Sequence, residues 1–123
     1  MRHLPMTEAL KIAGRYLAFV DKKYPIESAL LFGSFAKGTQ HKDSDIDLAI
    51  VFSTIEDIID RQIELLQMRK ENDLMIEPHP FRTIDFKASN PVVTEILKSG
   101  IEIKNLSTEI LNLHHKEKIN HCP

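Results

Sequence analysis

The chain has 123 residues, 42% of them hydrophobic and 28% charged, with a formal net charge of −2. That length suits one domain able to bury a single core, and the near-neutral charge excludes a global basic field for gripping a nucleic-acid backbone. No basic-then-apolar leader opens the sequence and no apolar run approaches the roughly 18 residues of a membrane span, so the expectation is a cytoplasmic protein without a membrane partner.

Residues 7–23 carry Leu10, Ile12, Ala13, Tyr16, Leu17 and Val20 at near-helical spacing, with Thr7 as the expected cap and Pro25 as the stop. Residues 26–32 form a short apolar run halted by Gly33, the pattern of a buried strand. Residues 34–37 can close one helical turn before Gly38, and a polar loop follows to Ser44. The run 46–52 is the clearest strand and is apolar enough to be covered on both faces.

Residues 55–70 place Ile55, Ile58, Ile59, Ile63, Leu65 and Leu66 along one helical stripe, which is expected to be core. A third strand is expected at 73–79, stopped by Pro78 and Pro80. A short helix at 91–98 and a small edge strand at 101–103 follow, with Gly100 between them. The segment 105–123 is amphipathic at first and then polar. This order implies an α/β or α+β fold, one small mixed β-sheet flanked by helices. The expected division is a domain at 1–104 and a partly helical or flexible tail at 105–123.

The chemistry concentrates in residues 30–52, LLFGSFAKGTQHKDSDIDLAIVF. Gly33-Ser34 ends a strand at a tight, small-residue turn whose backbone N–H groups and hydroxyl can approach phosphate oxygens. Ten residues later comes Asp45-x-Asp47. Strand alternation turns both carboxylates to one side, where they repel unless a cation lies between them. Mg²⁺ suits such a pair, because it takes oxygen ligands and shares them with substrate phosphates. Two ions so placed assist in-line nucleotidyl transfer, and Lys37 and Lys42 in the intervening segment can offset triphosphate charge. A third carboxylate is expected from DLMIEPH, residues 73–79, where Asp73, Met75, Glu77 and His79 share a face. Glu77 is preferred because Ile76 and Pro78 anchor it, whereas Asp73 reads as a solvated strand end. His79 either lies near the site or belongs to the turn that stops the strand.

The G-S, ten-residue, D-x-D pattern resembles the signature of the DNA polymerase β-like nucleotidyltransferase superfamily, and the short chain resembles its minimal nucleotidyltransferase branch. The resemblance spans about residues 30–79, with a looser match at 100–103. It implies a polymerase β-like fold and a Mg²⁺-dependent transfer of a nucleoside monophosphate from a triphosphate such as ATP. By that resemblance Gly33 and Ser34 contact the triphosphate and Asp45 and Asp47 bind metal, with Glu77 standing where many relatives carry Asp. Members of the branch often act as antitoxins that place AMP on a HEPN-domain ribonuclease toxin, which makes such a toxin the implied partner. Little length is left for an acceptor-binding domain, so the acceptor is expected on a partner protein. A binding-only antitoxin and a small-molecule nucleotidyltransferase are the competing functions; a homo- or hetero-oligomer fits any of them.

Other features carry less. The single cysteine, Cys122, excludes an internal disulfide and a four-cysteine zinc site and fits a reducing compartment. With His114, His115 and His121 it sits in a polar tail, which reads as a frayed terminus rather than a metal site. Arg69-Lys70 at the end of the long helix complements its dipole.

Overall fold

The computed structural model describes residues 4–41 and 44–103. Within them the chain runs α1 (Met6–Lys23), β1 (Ser28–Phe32), α2 (Ser34–Lys37), β2 (Ile46–Phe52), α3 (Ile58–Gln67), β3 (Ile76–Arg82), α4 (Pro91–Ser99) and β4 (Ile101–Ile103). Single 3₁₀ turns occupy Glu71–Asp73 and Thr83–Asp85. The tail expected at 105–123, with Cys122 and its neighbouring histidines, lies outside the described residues. Among the described residues no helix is long and apolar enough to cross a membrane.

The four strands form one mixed sheet in the order β3-β2-β1-β4. β1 pairs antiparallel with β2 and with β4, while β2 and β3 run parallel. A parallel neighbour needs a crossover, which α3 supplies. Alternation along β2 then separates two cores. Ile46, Leu48, Ile50 and Phe52 join Ala13, Tyr16, Leu17 and Val20 of α1 and Leu65 of α3 in the larger cluster. On the other face, Ala49 meets Leu30 of β1 and Ile96 of α4. The expectation that β2 is covered on both faces holds.

Several boundaries differ for identifiable reasons. Pro5, not Thr7, precedes α1, and no side chain caps it; proline cannot donate a backbone N–H, so it suits the position where that donor has no partner. β1 begins at Ser28 rather than at 26: Ile26 N–H donates to Asp21 Oδ1 at 2.8 Å, and Glu27 N–H is the first to reach β2, at Val51 O, 2.8 Å away. α3 is shorter than the apolar stripe, starting after Asp57, whose carboxylate accepts from Asp60 N–H at 3.0 Å.

The stripe itself is not all core. Leu65 is fully buried, but Ile59 and Ile63 are 70% and 48% exposed. The inward face instead carries Arg61, whose guanidinium lies 3.8 Å from the Tyr24 ring centroid and 4.6 Å from that of Phe52. Stacking on two rings lets an arginine hold a place that its charge would seem to forbid. Gln62 also faces the sheet, donating from Nε2 to Pro78 O at 2.6 Å.

The third strand is shifted, and prolines do not stop it. It starts at Ile76 and passes through Pro78 and Pro80 to Arg82. β3 is an edge strand, and alternate residues direct their backbone groups away from β2, so two prolines at that parity forfeit no ladder bond. The outward carbonyls find side-chain partners: Pro78 O takes Gln62, and Ile76 O takes Arg69 Nη1 at 3.1 Å. Arg69 Nε also bonds Leu66 O at 3.0 Å, so this arginine does serve the end of α3, while Lys70 Nζ sits 4.2 Å from the Phe19 ring centroid. Asp73 is neither in the strand nor solvated. It is buried in the 3₁₀ turn, where its Oδ2 accepts from Lys70 N–H at 3.0 Å.

These packing roles separate two classes of apolar residue in α3. Leu65→Ala is expected to cost about 2–5 kcal/mol by opening a cavity under the sheet. Ile59→Ala and Ile63→Ala should each stay within about 0.5 kcal/mol. Urea denaturation of the three variants checks the contrast.

Candidate active site

The site follows from which residues of β2 do not face the larger core. With Ile46, Leu48 and Ile50 turned to α1 and α3, Asp47 faces the opposite side. The register then places Phe32 of β1 and Glu77 of β3 on either side of it, and His79 opposite Ala49. Asp45 comes just before β2, and its carboxylate acts on that of Glu77. The three predicted carboxylates lie toward one end of the α4-side face, yet among the described residues the ligand atoms that come within 4.8 Å of one another are those of Asp47, Glu77 and His79, without Asp45.

The turn after β1 closes over this row. Gly33 has φ +77°, a left-handed conformation that L side chains rarely adopt, and a Cβ there would overlap Asp47 Oδ2. It serves as the N-cap of α2 with no side-chain cap bond. Ser34 opens α2, Phe35 anchors it by full burial, and Gly38 ends it at φ +74°. Lys37, at the end of that turn, is exposed, and among the described residues no ion pair joins it to Asp45, Asp47 or Glu77. Lys42 lies outside the described residues.

Two residues enter the site that the motif alone does not single out. His79 Nε2 lies 3.3 Å from Asp47 Oδ1, and its ring meets Phe32 edge-on at 5.1 Å. Because β3 continues past His79, the alternative that this histidine merely ends a strand falls. Alternation along β3 was the signal for it. Ser44, directly before Asp45, is buried; its Oγ accepts from His41 N–H at 2.9 Å and its N–H returns to His41 O at 2.9 Å. That reciprocal pair steadies the approach to Asp45, and no sequence signal beyond adjacency marks it.

Crowded carboxylates leave an electrostatic trace. The Glu77 carboxyl is pushed above its ordinary range, chiefly by the hydrogen bond with Asp45, then by burial and the charges of Asp45 and Asp47, with His79 opposing. Asp47, Glu77 and His79 can each turn one ligand atom to within 4.8 Å of the others. This donor set fits a divalent cation, which would relieve the same repulsion.

Two outcomes test the geometry. Gly33→Ala should destabilise the protein by roughly 1–3 kcal/mol, through the left-handed backbone and the overlap with Asp47, read as a shift in urea midpoint. For Glu77 the folded state holds its proton to higher pH than the unfolded chain, so ionisation costs stability as pH rises through the raised value. Without metal, Glu77→Gln should match wild type below the ordinary carboxylate range and become the more stable of the two above it, as seen by thermal melts across pH.

The Polymerase beta, Nucleotidyltransferase family description matches residues 17–109. A Methanocaldococcus jannaschii protein assigned as a protein adenylyltransferase is 36% identical over 47 residues, which cover 38% of this chain and 47% of that relative. The match thus spans about half of the relative's length. Among solved structures, a nucleotidyltransferase from Sulfolobus solfataricus superposes with a TM-score of 0.60 at 22% identity, covering 79% of this chain and 80% of the other. A toxin–antitoxin structure with AMP-PNP gives 0.54 at 20% identity, covering 88% and 87%. The toxin–antitoxin MntA-HpeT gives 0.55 at 20% identity, covering 89% and 86%. At these identities the superpositions speak for the fold, and the family match covers most of the chain: the protein belongs to the polymerase beta nucleotidyltransferase family.

Proposed function

We propose that this chain is a Mg²⁺-dependent adenylyltransferase that moves AMP from ATP onto a side-chain hydroxyl of a partner protein, a HEPN-type toxin, and so acts as its antitoxin. The observation that carries the reading is that Asp47 and Glu77 lie abreast on one sheet face beside the Gly33 turn, with Asp45 bearing on Glu77 from just before the strand. Family membership supports the class of reaction. The choice of AMP and of a protein acceptor draws on the relative assigned as a protein adenylyltransferase and on the fold shared with toxin–antitoxin structures, one of them with AMP-PNP.

In this reading Asp45 and Asp47 hold the cation, with Glu77 as third carboxylate. The Gly33-Ser34 backbone and the Ser34 hydroxyl donate to the triphosphate, and Lys37 and Lys42 add positive charge near it. A cation held by these carboxylates would supply charge neutralisation at the phosphates. The acceptor oxygen forms a bond to the α-phosphorus as the α-phosphorus bond to the bridging oxygen breaks, releasing pyrophosphate. Glu77, the carboxyl with raised proton affinity, takes the acceptor proton.

Incubation with Mg²⁺, α-labelled ATP and the protein encoded beside it tests this, with Asp45→Ala/Asp47→Ala as the paired variant. Label should appear on the partner with wild type and be abolished in the double variant. Tight partner binding without label from any of the four common triphosphates would overturn transfer in favour of an antitoxin that acts by contact.

A further inference from the structure

The three-carboxylate reading leaves His79 without a role, yet the fold delivers its ring to the same spot. Among the described residues, Asp47, Glu77 and His79 are brought within 4.8 Å of one another, ligand atom to ligand atom. The ring is held rather than free. Phe32 packs against it with ring planes at 61°, and the nitrogen turned to Asp47 is Nε2. The imidazole is one-third exposed, so a cation from solvent can reach it.

The 3.3 Å from Nε2 to Asp47 Oδ1 is longer than a well-formed N–H···O bond. It is close to the ~3.0 Å that separates two ligand atoms at right angles about one cation, each ~2.1 Å from it. Both strands contribute: Asp47 and Glu77 sit abreast by register, and His79 follows Glu77 by two on the same face. We infer that His79 completes a mixed imidazole–carboxylate cation site with Asp47 and Glu77, which raises affinity for first-row transition divalent cations without removing the carboxylate oxygens that Mg²⁺ uses. The gain has a chemical cause. Mg²⁺ takes oxygen and keeps its waters, whereas an imidazole nitrogen strengthens binding of borderline cations such as Co²⁺ and Zn²⁺. The inference rests on the nucleotidyl-transfer reading for the purpose of the site, but not for its test.

Calorimetric titration of the nucleotide-free full chain with Co²⁺ and with Mg²⁺ measures both affinities. Proton NMR of the Co²⁺ form detects the shifted exchangeable N–H of a cobalt-bound imidazole. Wild type should bind Co²⁺ more tightly than Mg²⁺ and show that resonance. His79→Ala should weaken Co²⁺ by about tenfold or more, leave Mg²⁺ nearly unchanged and lose the resonance, whereas Asp47→Asn should weaken both cations. His79→Gln keeps a planar polar group against Phe32 and should behave like His79→Ala, with circular dichroism verifying the fold of each. An unchanged Co²⁺ isotherm and resonance in both His79 variants would overturn the site. If labelled transfer still requires Asp45 and Asp47 in that case, the inference fails and the proposed function stands. Co²⁺ binding through His79 without label from any triphosphate is the converse: the cation site holds and transfer fails.

Discussion

The register of β2 against β3 is the constraint on which the site depends. In a parallel pair, residues lie abreast with side chains on the same face, so Asp47 and Glu77 are forced together by backbone pairing. The site does not set that register. It is set by Ile46, Leu48, Ile50 and Phe52, which must all reach the α1 and α3 side to be buried. A slip of one residue would carry Asp47 into the larger apolar core and take those four side chains out of it. Burial of ordinary aliphatic groups thus fixes an electrostatically unfavourable arrangement on the opposite face.

That face is divided along its length. At one end Ile96 of α4 seals Leu30 and Ala49, and Phe81 and Phe86 pack edge-on beside them at 5.2 Å. Toward the start of β2 and β3 the covering stops and the carboxylates begin. The boundary is served by small devices: a left-handed glycine that lets the chain pass close to Asp47, a buried serine that ties the loop before Asp45, and an aromatic edge against His79. Each keeps a polar group in place where few packing contacts are available to do so.

Much of this was legible in the sequence where one physical signal acted alone. β2 is apolar from end to end because both its faces are covered, and its limits matched to the residue. Alternation gave the face on which Glu77 and His79 lie, and that placement survived a three-residue error in the start of the strand because their parity is unaffected. Errors arose where a second effect overrode the first. Prolines signal the end of a central strand, but in β3 they point outward from an edge. An isoleucine stripe signals a buried face, but α3 rotates so that Arg61 can lie on Tyr24 and Phe52. Asp73 resembled a strand end because a 3₁₀ turn has no sequence period long enough to detect.

The prolines of β3 also bear on how this protein meets others. An edge strand ordinarily offers a row of amide hydrogens and carbonyls on which a foreign strand can grow. Here Pro78 and Pro80 offer no hydrogens, and the carbonyls of Ile76 and Pro78 are already engaged by Arg69 and Gln62. A chain arriving at this border finds few of the groups on which it could zip. The border beside the carboxylates is thereby poorly suited to strand exchange, which leaves the open face of the sheet as the free approach to them.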